Sequence, residues 1–152
     1  MSGIDRLIKV LEGASRVAID SMGFIYHFEA NKMYVPLTRA LFDRVEQGKL
    51  EAVTSLITVA EVFSNQAVIK DEELAAEYRH VFDTWPNLTI FVPDMTDAML
   101  VGAVRLEYGL RLPDAFQVEA GLSFGAEILA TNDERLRVVR RPKPVILRDY
   151  LD

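Results

Sequence analysis

The chain has 152 residues, half of them hydrophobic, which is enough to bury one core without staples. Charged residues make up 26%, and the 8 Gly and 6 Pro form no run, so a disordered or fibrous chain is excluded. The absence of cysteine excludes a disulfide framework, a thiolate metal site and a cysteine nucleophile, and favours a cytoplasmic location. A net charge of −6 argues against a protein that coats nucleic acid by electrostatics alone.

The hydrophobic pattern predicts strands that alternate with helices. The hydrophobic pattern of residues 1–14 predicts a short amphipathic helix. The charged residues of this segment exclude a signal peptide or a membrane span. The predicted strands are 17–19, 50–54, 88–92, 126–130 and 145–147. The predicted helices between them are 36–46, 55–67, 74–82, 96–106 and 113–122.

Strands separated by helices imply right-handed crossovers and a mostly parallel sheet of four to five strands. We therefore expect one α/β domain over residues 1–152, with helices on both faces of the sheet in a three-layer α/β/α arrangement. Ligands of such sheets bind beyond the carboxyl ends of the strands. Asp20 follows the first predicted strand and Asp133 follows the fourth, so both are expected at that edge.

Four acidic residues lie at predicted element boundaries or on apolar helices, and these are Asp20, Glu61, Asp114 and Asp133. Each has an ordinary alternative explanation, because Asp is common in helix caps and turns and an exposed Glu is simply solvated. Several carboxylates that converge at one sheet edge repel one another, and a divalent cation relieves that repulsion. Carboxylate ligands suit Mg²⁺ or Mn²⁺, while the lack of nearby histidine disfavours zinc.

A carboxylate site with one or two hard cations is suited to phosphodiester hydrolysis, because the cation activates water and offsets charge on the phosphate. The expected substrate is then a nucleic acid. The segment 135–148 carries six basic residues and no acid. Within it, Arg140 and Arg141 either contact RNA phosphate or protect an edge strand from pairing, and the sequence leaves both open.

Four motifs resemble those of PIN-domain ribonucleases, and in particular the VapC-type toxins of toxin–antitoxin pairs. They are VAIDS with Asp20, TSLITVAEVF with Glu61, LRLPDAFQVEAG with Asp114, and AEILATNDERL with Asp133. The acids are 41, 53 and 19 positions apart, and their order and spacing agree with the family. The resemblance covers about residues 17–151 as the PIN core. The predicted helix over 1–14 precedes it, whereas VapC-type chains usually begin at the first strand.

The resemblance implies a metal-dependent endoribonuclease in which Asp20, Glu61, Asp114 and Asp133 surround Mg²⁺ or Mn²⁺. It also implies that Ser21 and Thr131 help to orient ligands or the RNA phosphate. Such toxins usually form homodimers and are inhibited by a small antitoxin protein. Arg105 and Arg111 flank the approach to Asp114 and either bind substrate or have a surface role, of which the surface role is favoured.

Two other classes remain as alternatives. A phosphatase of the haloacid-dehalogenase type needs Asp-x-Asp after the first strand, whereas this chain has Asp20-Ser21-Met22. A receiver domain needs a paired acid upstream and a late lysine, and neither is clear. The other alternative is a PIN-like scaffold that binds a protein or RNA partner without cleaving it, and the four acids count against it.

Overall fold

The computed structural model describes residues 1–152 and contains five short strands in one sheet. They are β1 (Arg16–Ile19), β2 (Glu51–Ser55), β3 (Leu88–Phe91), β4 (Ile128–Thr131) and β5 (Lys143–Ile146). Every neighbouring pair is parallel, and the order across the sheet is β3-β2-β1-β4-β5. Apolar runs such as Val17-Ala18-Ile19 are typical of parallel strands that are buried on both faces.

Helices cover both faces of the sheet. They are α1 (Gly3–Glu12), α2 (Ser21–Phe28), α3 (Val35–Glu46), α4 (Leu56–Phe63), α5 (Gln66–Ile69), α6 (Glu72–Thr84), α7 (Met95–Tyr108) and α8 (Leu112–Phe124). Two 3₁₀ helices follow, at Glu134–Val138 and Leu147–Tyr150. The predicted three-layer α/β/α class is therefore confirmed. No helix has the length and apolar character that crossing a membrane requires.

Side chains alternate between two hydrophobic cores, one on each face of the sheet. Val17 and Ile19 of β1 belong to a core shared with α1, α2 and α3, while Ala18 points to the opposite core beneath α7 and α8. This alternation follows from the two-residue period of a strand. Packing against both cores fixes the direction of β1 and therefore the position of its carboxyl end.

Helix α2 was not predicted as an element. Phe24 is fully buried, and its ring packs against Phe42, Phe82 and Trp85 at centroid distances of 5.2, 5.3 and 5.5 Å. The helix has eight residues and contains Gly23, so its local pattern is weak. Tertiary packing of Phe24 stabilises it.

The predicted helix over 55–67 is divided in two. Helix α4 ends at Phe63, and Asn65 starts α5 by accepting a hydrogen bond from the backbone N–H of Ala67 at 2.9 Å. An Asn side chain competes well for backbone donors, so it favours a new helix start over continuation.

The N-terminal helix α1 joins the two ends of the described chain. Leu7 and Leu11 are buried against the core, and the backbone N–H of Gly3 donates to the Asp152 carboxylate at 2.6 Å. A Cβ on Gly3 would lie 1.8 Å from the Tyr150 carbonyl oxygen, so only glycine allows this approach. Helix α1 therefore stabilises the C-terminal turn.

The chain order reverses between β1 and β4. From β1 the chain moves toward β2 and β3, whereas β4 leads to β5 on the other side. Such a reversal opens a crevice at the carboxyl edge of a parallel sheet, and ligands bind there in open α/β folds. Asp20 follows β1 at this crevice, and its backbone N–H donates to the Ala130 carbonyl of β4 at 3.2 Å.

Candidate active site

A cavity of about 530 Å³ lies at the crevice between β1 and β4. Five of the predicted site residues line it, and these are Asp20, Ser21, Glu61, Asp114 and Asp133. Asp20 follows β1 and Ser21 begins α2. Helix α4 carries Glu61, α8 carries Asp114, and the turn after β4 carries Asp133. The fold therefore brings together acids that are up to 113 positions apart in the sequence.

Asp20 is the most buried of the four acids, with 9% of its surface exposed. Its carboxylate caps α2 by accepting a hydrogen bond from the Met22 N–H at 3.1 Å, and it also accepts one from the Thr131 hydroxyl. Burial raises the pKa of Asp20 to about 7, although these hydrogen bonds oppose the rise. The nearby charge of Asp114 raises it further.

Thr131 lies beneath the cavity and is fully buried. Its hydroxyl donates to Asp20 and accepts a hydrogen bond from the Asp133 backbone N–H at 3.1 Å. The same oxygen therefore orients the carboxylate of β1 and the turn that follows β4. Thr131 does not line the cavity, so the structure places it as a support for the two acids.

Glu61 is exposed on the α4 side of the cavity. Partial desolvation by the cavity walls raises its pKa, the charge of Asp114 adds to this, and Arg111 opposes it. A carboxyl whose pKa is perturbed by desolvation and by a neighbouring charge in a cleft is a candidate functional residue.

Asp114 and Asp133 are both paired with arginine. Arg111 donates to Asp114 from Nε at 3.0 Å and from Nη2 at 3.4 Å, and its Nη2 also lies 3.4 Å from Asp133 Oδ2. Arg135 donates to Asp133 from Nε at 3.0 Å and from Nη2 at 2.9 Å. The hydrogen bonds from Arg135 are the largest cause that lowers the pKa of Asp133.

The four carboxylates offer a hard, all-oxygen donor set, which suits Mg²⁺ or Mn²⁺. As the side chains stand, no group of three Asp, Glu or His residues is arranged to hold one metal ion. Asp20 has no positive partner of its own, and its raised pKa reports a buried carboxyl that a cation would favour in the ionised form. The donor chemistry therefore fits a divalent cation, while arginines occupy two of the acids.

Gln117 is a polar residue of the site that sequence reasoning missed. It lies one turn after Asp114 on α8, is 2% exposed, and its Oε1 accepts from Thr58 Oγ1 at 2.8 Å and from the Ser55 N–H at 3.2 Å. These bonds tie α8, which carries Asp114, to the start of α4, which carries Glu61. The only signal in the sequence is a polar residue three positions after Asp114 in an apolar helix.

Arg140 and Arg141 do not join the carboxylate cavity. They precede β5 and line a separate cavity of about 440 Å³ with Glu127 and Lys143, at the amino ends of β4 and β5. Arg140 is also paired with Glu107 at 2.6 Å. Contact between these arginines and RNA stays a prediction, and such contact would require RNA to extend to the opposite edge of the sheet.

The sheet order, the carboxylate crevice and its acids define a class of protein. The PIN domain family profile matches residues 17–142, and the chain belongs to this family. The predicted resemblance to PIN-domain ribonucleases is thereby confirmed. No curated protein sequence matches the chain significantly.

Two solved structures share this fold. The chain is similar to a toxin–antitoxin complex from Klebsiella pneumoniae with a TM-score of 0.65 and 21% identity, over 88% of this chain and 98% of that one. It is also similar to VapBC2 from Rickettsia felis bound to a promoter DNA fragment, with a TM-score of 0.61 and 14% identity, over 86% and 98% of the two chains. At these identities the comparison shows a shared fold.

Proposed function

We propose that this protein is a metal-dependent endoribonuclease and the toxin of a toxin–antitoxin pair. The observation that carries the proposal is the convergence of Asp20, Glu61, Asp114 and Asp133 on one cavity at the crevice of the sheet. Membership of the PIN family supports nuclease chemistry. The toxin–antitoxin complexes of the same fold support the biological role.

The four acids would hold Mg²⁺ or Mn²⁺, which supplies water activation and offsets the negative charge of the phosphodiester. Thr131 keeps the Asp20 carboxylate facing the cavity through its hydrogen bond. Glu61 lies on the α4 side of this cavity, where a bound cation would favour its ionised form. The Ser21 hydroxyl lies on the same rim and is available to the phosphate. Products with 5′-phosphate and 3′-hydroxyl ends are expected.

Cleavage of a mixed, structured RNA pool tests this function. We expect cutting by the wild-type protein in Mg²⁺ or Mn²⁺, none in EDTA, and recovery when the metal is restored. A DNA pool of the same sequences is the control for substrate class. If the folded protein neither cuts RNA nor gains thermal stability from Mn²⁺, the scaffold alternative replaces the nuclease.

A homodimer is also proposed, and the exposed face of α7 supports it. Met95, Met99 and Leu106 follow one helical stripe and are 80%, 74% and 86% exposed. Gly102 lies on the same stripe with open space above it, so a second helix could approach closely. Contiguous apolar surface of this kind marks interaction sites in soluble proteins.

Met99→Lys is expected to break the dimer, because it places a charge at the centre of the apolar stripe on α7. We expect at least a tenfold weaker dimer, which corresponds to about 1.4 kcal/mol. Light scattering after size exclusion over a concentration series measures the change. Met33→Lys is the matched control, since Met33 is 61% exposed outside α7. Equal dimer affinity in both variants would place the interface elsewhere.

A further inference from the structure

Arg111 connects two acids that belong to different elements of the site. It immediately precedes α8, yet it makes no side-chain cap of that helix. Its guanidinium instead reaches Asp114 on the first turn of α8 and Asp133 after β4. One cationic side chain therefore spans the cavity between two carboxylates that the proposed function assigns to a metal ion.

Stability gives a weak explanation for this arrangement. The Arg111 side chain is 54% exposed, and exposed ion pairs contribute little to folding. A positive charge at a helix N-terminus also opposes the helix dipole. Asp133 already has two hydrogen bonds from the Arg135 guanidinium, so it does not require Arg111 as a partner.

The arginine contacts occupy the oxygens that a metal ion would need. Arg111 engages both Asp114 oxygens, and with Arg135 it leaves neither Asp133 oxygen free. With these arginine pairings in place, no three acids are arranged around one metal position. A cation that binds both Asp114 and Asp133 must therefore compete with Arg111 at both acids and with Arg135 at Asp133.

The cavity also needs positive groups if it is to accept RNA. Four carboxylates repel a phosphodiester, and the guanidinium groups of the cavity wall are those of Arg111, Arg135 and Arg148. A planar guanidinium pairs with phosphate oxygens in the same bidentate manner as with carboxylates. A guanidinium released from Asp114 would therefore remain at the rim where the substrate enters.

We propose that Arg111 is an internal counter-ion of the metal-free site, displaced by the divalent cation and then used to bind an RNA phosphate. The inference rests on the proposed nuclease function. Under this proposal Arg111 competes with the cation in the metal-free site, and it binds the RNA phosphate once the cation is bound.

Isothermal titration with Mn²⁺ alone tests the competition. Arg111→Met is expected to bind Mn²⁺ about tenfold more tightly than wild type, because the carboxylates lose their competitor. Arg79→Met is the matched control, since Arg79 pairs with Asp83 at 3.4 Å on exposed α6, and its Mn²⁺ affinity should equal that of wild type. Equal or weaker Mn²⁺ binding by Arg111→Met would overturn the inference.

Steady-state cleavage at saturating Mn²⁺ tests the second role. Arg111→Met should raise KM for RNA about tenfold despite its tighter metal binding, and Arg111→Lys should recover part of this loss through its charge. An unchanged KM would refute the phosphate contact. If wild type cleaves RNA with Mn²⁺ but Arg111→Met shows no change in metal affinity or KM, the nuclease proposal stands and this inference fails. If no variant binds Mn²⁺, both fail.

Discussion

Asp20→Asn is expected to abolish RNA cleavage and to stabilise the metal-free protein at pH 8. The activity loss should exceed the roughly 100-fold that loss of an outer-shell partner costs at metal sites, because Asp20 is a proposed direct ligand. The gain in stability has a separate cause. Asn caps a helix as well as Asp does, but it carries no charge to bury.

The pH dependence follows from the sign of the pKa change. Asp20 has a folded pKa of about 7 against 3.8 for the unfolded chain, so the folded protein retains this proton longer. The contribution of Asp20 to the free energy of unfolding therefore falls as pH rises from about 4 to about 7, and it is lowest above that range. Each tenfold change in proton affinity is about 1.36 kcal/mol. The change in the pKa of Asp20 from 3.8 to about 7 therefore lowers the free energy of unfolding by on the order of 4 kcal/mol above pH 7.

Thermal unfolding in EDTA from pH 4 to pH 8 measures this effect. Wild type should lose stability across the range, while the contribution of position 20 should vanish in Asp20→Asn. If Asn recovers about half of the penalty, Tm at pH 8 rises by about 4–8 °C. Asp114→Asn is the matched control, because its carboxylate is already paired with Arg111. It should lose cleavage and gain much less stability than Asp20→Asn, because the charge of Asp114 is only a minor cause of the raised pKa of Asp20. An equal gain in both variants would refute this account of Asp20.

Thr131→Val is expected to impair both the fold and the site. The substitution keeps the shape but removes the hydroxyl that joins Asp20 to the Asp133 backbone. The Asp133 N–H is partly buried, so leaving it without a partner costs on the order of 1 kcal/mol, the lower end of the range for buried donors. The hydrogen bond from Thr131 also lowers the pKa of Asp20, so its loss should raise that pKa further.

The expected rise in the pKa of Asp20 is measured separately, through the pH dependence of cleavage. Metal binding needs ionised Asp20, so the acidic limb of the rate against pH should move to higher pH in Thr131→Val. Thr131→Ser retains the hydroxyl and should keep the wild-type limb, while losing about 0.8 kcal/mol for the missing methyl group. A limb that stays in place in Thr131→Val would show that Thr131 has only a structural role.

The position of the acids could be predicted because it depends on local pattern and a general property of parallel sheets. Asp20 follows a short apolar strand, and strand ends of this kind meet at one edge. Asp114 begins an apolar helix after Pro113, which is a strong local signal. Such features need no knowledge of distant contacts.

The partners of the acids could not be predicted in this way. The pairing of Arg111 with Asp133 joins residues 22 positions apart, and the hydrogen bond between Thr131 and Asp20 spans 111. Helix α2 was missed because packing of Phe24 overrides a weak local preference. The separation of Arg140 from the acids became visible only when the direction of β5 was known.

The insertion of β4 beside β1 has a consequence for synthesis on the ribosome. Val17 of β1 pairs with Ile128 of β4, so about 110 residues must emerge before β1 gains its second neighbour. At 5–20 residues per second this takes roughly 5–20 s, during which an apolar strand edge stays open to chaperones or to misassembly. A nascent chain cut short before β4 carries Asp20, Glu61 and Asp114 but lacks the strand that holds Asp20 in place. The proposed site therefore cannot assemble before β4 has emerged from the ribosome.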